Sequence, residues 1–436
     1  MTESFQSRIE KAGALLDDGK FDLCLSTMKS IWANAGENSD LISLFSRYAK
    51  ALNQTDLSLA LERLAEKVKT SQTAIDENPQ EVFEAAYHLV GERYFDIGRN
   101  LLQKCLDKFP ANNTVRYELA FAQMSLGKFK EAIANFEQVL KLEEDFDTVL
   151  NLSACYALVR DLKNVEQTIK RLEKLANDDE ERNEITHRKM VLKRLHYMAS
   201  KKEFNKQDWF FVLYGTILLG YKAPSQANIK VDPLVDAFDV LVPNHNLKAI
   251  AGTLAVLKGV LRGLEIEPEA IEYYNTYAKP LAQVEARLFD ISEDNYTGPD
   301  RPDYALMIMN NAEEIVGPHQ AFIENCDNRA TFAYALNPDI PLPVTPDIIG
   351  HLGQIQLPWD NDIKMSEDTE HSERILAESM PKILEIASHM ENDAEVIGTI
   401  TDTVLYYNPK REMLAAQNCG IIRRRPEFTA EIHDHK

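Results

Sequence analysis

A pair of short helices encoded by residues 113–145 constrains the fold of this chain more than any other feature. The segment reads NTVRYELAFAQMSLGKFKEAIANFEQVLKLEED and places Ala120 before Gly127, with Phe129 and Phe136 after it. A helix pair with small residues at its crossing and aromatic residues under its turn is too small to bury its own apolar face. It must stack on copies of itself, so one good unit predicts neighbouring units.

The spacing of these residues resembles one unit of the tetratricopeptide repeat (TPR) family. The matching positions are Leu119, Ala120, Gly127, Phe129, Ala132 and Phe136. The resemblance implies a solenoid of antiparallel helix pairs. Aligning outward at a period of 33–34 residues gives clear neighbours at 79–112 and 146–178, and weaker units at 5–38 and 41–75. The unit at 146–178 lacks the turn glycine.

The front of the chain is therefore predicted to be a TPR-like α-solenoid over residues 1–200, with about five helix pairs. Residues 180–200 have the pattern of an amphipathic helix that caps the stack. Proline usage supports a boundary near residue 200, because only Pro79 and Pro110 precede it and the other 16 prolines follow.

The resemblance also implies a binding groove, because the first helix of each TPR unit lines a concave face. Its fifth and ninth residues commonly contact an extended peptide. In this chain the predicted partner-binding residues are Phe83, Tyr87, Tyr117, Phe121, Met124 and Leu150. Family members that grip a carboxylate use lysine and asparagine at such positions, whereas these residues are aromatic or aliphatic. We expect an apolar peptide or helix as the ligand. Two alternatives stay open: the rear half covers this face, or a second copy meets it in a homo-oligomer.

Charge and composition limit the classes of partner. The formal net charge is −21, divided as −5 over residues 1–200 and −16 over residues 201–436. A field of this sign repels phosphate backbones and anionic lipids, so neither nucleic acid nor membrane is an expected partner. The amino terminus is polar and acidic, and the longest apolar run, 209–219, is too short to span a bilayer. These features predict a cytoplasmic protein.

Residues 201–436 are predicted to form an α+β domain, so the chain as a whole is mostly α. Periodicity predicts helices over 246–264, 268–289 and 369–390, and short strands over 304–309 and 331–336. The run at 209–219 suits a buried strand or a core helix, and 394–407 is ambiguous. Composition predicts a loop at 292–303, an extended connector at 337–347 and a loose tail at 420–436.

No motif with a known mechanism occurs in the rear half, so we predict no catalytic residue, cofactor or metal. One candidate pocket combines His319 with His351, Trp359 and Asp360, because two glycines flank His351 and allow close backbone approach. The competing interpretation is a glycine-kinked strand that packs a tryptophan. Among the cysteines, Cys24, Cys105 and Cys155 fall at positions that pack between helices, and Cys326 and Cys419 lie outside the repeats.

These observations favour an adaptor or scaffold protein that binds a protein partner through its solenoid. The alternative is an enzyme with a catalytic rear domain, to which the solenoid recruits substrate. An enzyme needs a polar pocket with converging titratable groups in residues 201–436. An adaptor needs an accessible aromatic face on the solenoid.

Overall fold

The structure, a computed structural model, describes residues 4–35, 38–70, 77–220, 245–296, 298, 303–315, 328–337, 344–353, 355–359, 369–390 and 392–417. The predicted site residues His319 and Asp360, the cysteines Cys326 and Cys419, and the tail at 420–436 lie outside these ranges. The chain divides into two compact units, Met1–Ile185 and Thr186–Lys436. None of the helices in the described ranges is long and apolar enough to cross a bilayer.

The first unit is a stack of five antiparallel helix pairs, which confirms the predicted solenoid. The pairs are α1 (Phe5–Asp17) with α2 (Phe21–Ala35), α3 (Ser39–Ala51) with α4 (Thr55–Thr70), α5 (Pro79–Gly91) with α6 (Phe95–Lys108), α7 (Asn113–Ser125) with α8 (Phe129–Val139), and α9 (Phe146–Leu158) with α10 (Leu162–Leu175). Each second helix contacts the first helix of the next pair. Helix α11 (Asp179–Tyr197) follows, where the capping helix is predicted.

Small and apolar residues fill the contacts within these pairs. Ala86, Ala120 and Phe136 have no exposed surface. A Cβ at Gly98 would lie 2.8 Å from Val90 Cγ2, so only glycine permits this approach of α6 to α5. Cys24, Cys105 and Cys155 are buried, as predicted. Burial raises the pKa of Cys24 and of Cys105 to about 11, as expected for packed rather than reactive thiols.

In all five pairs, the residue at the same position of the turn has a left-handed backbone conformation, whether or not that residue is glycine. The φ angles are 73° at Gly19, 61° at Asn53, 66° at Arg93, 69° at Gly127 and 60° at Arg160. The amide that follows donates to the carbonyl five residues earlier in every case, as in Lys128 to Gln123 at 2.9 Å and Asp161 to Tyr156 at 2.9 Å. This hydrogen bond belongs to the Schellman motif. The unit at 146–178 therefore keeps the repeat geometry without a turn glycine, because Arg160 adopts the left-handed conformation.

Two glycines in the first repeat predict opposite effects of the same substitution. Gly13 lies inside α1, where an added Cβ would meet only Leu44 Cδ1 at 3.8 Å. We expect Gly13→Ala to stabilise the protein by about 0.5–1 kcal/mol, because alanine loses less backbone entropy in a helix. An added Cβ at Gly19 would also meet no close atom, but the backbone there has a left-handed φ that alanine adopts poorly. We expect Gly19→Ala to lower the free energy of unfolding by about 1–2 kcal/mol. Urea unfolding measures both, and equal signs would contradict the assigned turn.

The second unit is built around a six-stranded sheet in which every described strand pair is parallel. The strands are β1 (Ile217–Leu218), β2 (Ala270–Tyr273), β3 (Ser292–Asn295), β4 (Ala305–Asn311), β5 (Arg329–Leu336) and β6 (Ile348–Leu352), in the order β1-β6-β5-β4-β2-β3. The helices are α12 (Lys206–Tyr214), α13 (Leu247–Gly263), α14 (Lys279–Phe289), α15 (Thr369–Met390) and α16 (Ala394–Tyr407). The combination of helices and strands in this unit is as predicted. The sequence did not predict that the strands pair in parallel.

Three local expectations need correction. The run at 209–219 divides into the end of α12 and the short strand β1. The predicted helix over 268–289 is wrong in its first part, where Ala270–Tyr273 is β2. Pro280 lies in the first turn of α14, where its missing N–H is not needed, so it does not kink a longer helix. The predicted loop at 292–303 begins with the polar strand β3.

Candidate functional site

Five predicted groove residues form what we call the aromatic face, carried by the first helices α5, α7 and α9. They are Phe83, Tyr87, Tyr117, Phe121 and Leu150. Tyr87 is 50% exposed, and the other four are half-buried. Met124 is 1% exposed, because it points into the stack, and therefore has no surface to offer a ligand.

Contacts with neighbouring helices hold the Phe121 and Tyr117 rings of the aromatic face in place. The Phe121 ring meets Phe95 edge-on at 6.3 Å between centroids, and the Tyr117 ring meets Phe136 at 5.8 Å. Asn151 Nδ2 donates to the Tyr117 hydroxyl at 3.2 Å. Rings fixed in this way lose little conformational entropy when a ligand binds.

Carboxylates surround Tyr117. Burial, together with the smaller effects of the charges of Asp147, Glu118 and Asp145, raises the pKa of Tyr117 to about 12. Burial also raises the pKa of Glu118. The pKa of Asp147 is raised by burial and by its like-charged neighbours Asp145 and Glu181.

Four acids around Tyr117 lack the basic partner that several other acids of the solenoid have, as in Asp17 with Arg47 at 2.7 Å and Glu144 with Arg171 at 2.7 Å. Among the described residues, no lysine or arginine forms an ion pair with Glu118, Asp145, Asp147 or Glu181. The aromatic face is consequently apolar at its rings and negative at its margin.

The predicted rear pocket takes a different form. His351 is 6% exposed, and its Nε2 lies 2.9 Å from Thr253 Oγ1. Trp359 is fully buried. A Cβ at Gly350 would lie 2.6 Å from the Tyr334 carbonyl oxygen, so this glycine is required by strand packing. Neither described member of the pocket, His351 or Trp359, lines an open surface.

His351 instead belongs to a buried aromatic cluster with His245 and Tyr334. The two imidazole rings lie 4.7 Å apart, and His245 Nδ1 is 2.7 Å from the Tyr334 hydroxyl. Burial lowers the pKa of His245 to about 4. Burial and the neighbouring His245 lower the pKa of His351 to about 3. Both rings are therefore neutral at physiological pH.

This cluster predicts a loss of stability in mild acid. Below about pH 6.5 a histidine in the unfolded state binds a proton, whereas these buried histidines stay neutral in the folded state. Proton binding therefore stabilises the unfolded state relative to the folded state. The loss should approach about 1.4 kcal/mol per histidine per pH unit as pH falls from about 6 toward 4. Urea unfolding of the wild type and of the double variant His245→Gln/His351→Gln at several pH values measures this loss. The exposed His196→Gln is the control, and a double variant that keeps the wild-type pH slope would contradict the prediction.

A second group of polar residues, which sequence reasoning missed, lies where β2, β4 and β5 end. We call it the polar edge, and it consists of Asn275, Asn310, Asn311, Glu313, Glu314 and Asn337. Asn275 Nδ2 donates to Glu314 Oε2 at 2.6 Å, and the Asn337 amide donates to Glu313 Oε1 at 2.7 Å. Burial raises the pKa of Glu313. The signal was the segment NNAEE, which directly follows the apolar strand ALMIM.

The architecture defines the class of this protein as a helical-repeat solenoid of TPR-like helix pairs followed by a domain of parallel strands and helices. No family model and no curated protein matches the chain. Two solved structures titled MamA AMB-1, in forms C2221 and P212121, are each 18% identical to it. They cover 39% and 38% of this chain and 96% and 95% of their own, with TM-scores of 0.26 and 0.24. Similarity at this level carries no argument, so the class rests on the helix pairs and the sheet.

Proposed function

We propose that this protein is a binding scaffold whose aromatic face holds an apolar peptide or helix that also carries basic side chains. The proposal is supported by two features of the first helices. Acids without a lysine or arginine partner among the described residues surround Tyr117, and Tyr87 is 50% exposed. Leucine-type side chains of a partner would pack on the rings. Lysine or arginine side chains would meet Glu118 and Asp147, and would also be attracted to the faces of the tyrosine rings.

Three synthetic amphipathic helices with one leucine face test this function. Their polar positions carry lysine, glutamine or glutamate, and fluorescence anisotropy measures their affinity for the full chain. We expect the lysine peptide to bind at least about ten-fold more tightly than the glutamate peptide, which corresponds to about 1.4 kcal/mol. Its advantage should shrink as salt rises. Failure of all three peptides to bind would overturn the proposed function.

Tyr87→Ser locates the binding surface, because this ring is exposed and its loss should leave the fold intact. The matched control is Leu142→Ser, which removes another exposed apolar side chain, 71% accessible, outside the first helices. We expect Tyr87→Ser to weaken the lysine peptide several-fold and Leu142→Ser to leave its affinity unchanged. Equal effects of the two substitutions on peptide affinity would show that the aromatic face is not the binding site.

A further inference from the structure

The two ends of the aromatic face differ in charge, and the end at α5 is apolar. Tyr87 of α5 is 50% exposed. The two acids within α5 both have basic partners on α4, because Glu81 forms an ion pair with Lys67 at 3.6 Å and Glu84 forms one with Arg63. The carboxylates beside the exposed ring are therefore already neutralised by the protein itself.

The other end of the face, at α7 and α9, is acidic. Three acids act on the hydroxyl of Tyr117 through their charges, and they are Glu118, Asp145 and Asp147. Glu181 of α11 adds its charge beside Asp147. None of the four acids forms an ion pair with a lysine or arginine of the described ranges. Asp147 is exposed, so its carboxylate is accessible to a cation of a partner.

Distance keeps the two ends electrostatically separate. Helix α7 contacts both α5 and α9 and lies between them. Packed helices are about 8–10 Å apart, which places Asp145 and Asp147, at the start of α9, about 16–20 Å from α5. Physiological salt screens exposed charges over about 8 Å. A cation over Tyr87 therefore gains little from the acids of α9, whereas a cation near Tyr117 gains most.

We propose that the partner of the aromatic face is a segment whose apolar and basic residues form two separate blocks, with the apolar block over α5 and the basic block over α7 and α9. This inference rests on the proposed function and adds the arrangement of the partner's residues. A segment that mixes the two kinds of residue evenly would place cations over α5, away from the acids of α9. It would also place apolar side chains over Asp147, where they would remove water from a carboxylate without replacing its hydrogen bonds.

Three peptides with the same numbers of leucine and lysine residues test the arrangement. One has a leucine block followed by a lysine block, the second has the two blocks in the opposite order, and the third alternates the two residues. Fluorescence anisotropy measures their affinity for the full chain. We expect the tighter of the two block peptides to bind at least about ten-fold more tightly than the alternating peptide.

The outcomes separate this inference from the proposed function. An alternating peptide that binds as tightly as the better block peptide overturns the block arrangement and leaves the proposed function intact. If these peptides and the three amphipathic helices all fail to bind, the proposed function and this inference are both wrong.

A double-mutant cycle locates the two blocks on the protein. The protein variants are Tyr87→Ser and Glu118→Gln/Asp147→Gln, with Glu166→Gln as the control. They are combined with forms of the better block peptide in which serine replaces either the leucines or the lysines. We expect Tyr87→Ser to weaken binding several-fold only when the leucines are present. The acid variant should weaken binding several-fold only when the lysines are present, and the control should change nothing. A loss from Tyr87→Ser that persists without the leucines, or a loss from the acid variant that persists without the lysines, would contradict the proposed placement.

Discussion

Replacing Glu272 by alanine should destabilise the protein by about 3–5 kcal/mol, because it removes a buried carboxylate that is ion-paired with the buried Arg329. Arg329 is 1% exposed and Glu272 is 2% exposed. Their two hydrogen bonds are 2.5 Å, from Nε to Oε2, and 3.2 Å, from Nη2 to Oε1. Arg329 also donates to the Gly298 carbonyl at 2.9 Å and lies 5.0 Å from the centroid of the Tyr296 ring. Urea unfolding gives the change in free energy.

The double variant Glu272→Met/Arg329→Met is the matched control for this pair. It removes both charges of this pair and replaces them with apolar side chains. Buried ion pairs replaced in this way often lose little stability or gain some. We expect the double variant to be clearly more stable than Glu272→Ala. Equal losses would show that packing, rather than the isolated charge, determines the cost.

Replacing Glu285 by leucine should stabilise the protein at pH 7 by about 1–3 kcal/mol. Glu285 lies in α14 without exposed surface, and neither carboxyl oxygen has a hydrogen-bond partner in the described part of the chain. Burial raises the pKa of this carboxyl well above its usual range, and the charge of Lys258 offsets only part of that. An exposed acid of α15, Glu378, provides the control variant Glu378→Leu, which should change stability little.

The pH dependence of the Glu285 effect has a defined sign. Near pH 4 both the folded and the unfolded state hold the proton. As pH rises, the unfolded state releases it near its ordinary pKa, about 4.3, whereas the folded state retains it. The wild type therefore loses stability relative to Glu285→Leu as pH rises from 4 toward 7. A stability difference that shrinks over this range would contradict the raised pKa.

The solenoid was predictable because its signal is local and repeated. Small residues such as Ala120 and aromatic residues such as Phe136 recur at fixed spacing, and each unit must pack on the next. The turns at Asn53, Arg93 and Arg160 could not be read in the same way. Their left-handed backbone is imposed by helix packing and the hydrogen bonds that end each helix, and the side chains do not reveal it.

The sheet was harder to predict because its strands are buried on both faces and read as short apolar runs. Ala270–Tyr273 follows Pro268 and precedes the helical pattern of α14, so its periodicity merges with that of the helix. The polar strand Ser292–Asn295 carries no apolar alternation at all. Its place at the end of the sheet, paired only with β2 among the described strands, makes that composition tolerable.

The candidate sites also differ in how far the sequence could predict them. Repeat register assigns Tyr87, Tyr117 and Phe121 to first helices, and their role in binding stays a prediction. Register alone could not show that Met124 is buried. The acidic cluster required the structure, because Asp147 and Glu181 come together from different helices. The polar edge required the strand order, which sets Asn275 beside Asn311.

Charge reversal on the aromatic face tests the binding account most directly. The variant Glu118→Lys/Asp147→Lys exchanges two acids of the margin for bases, with Glu166→Lys on a second helix as the control. The measurement is the ratio of the affinities for the lysine and glutamate peptides. The account predicts that the double variant reverses this ratio in favour of the glutamate peptide, while the control keeps the wild-type preference. An unchanged preference in the double variant would contradict the claim that these acids select the partner.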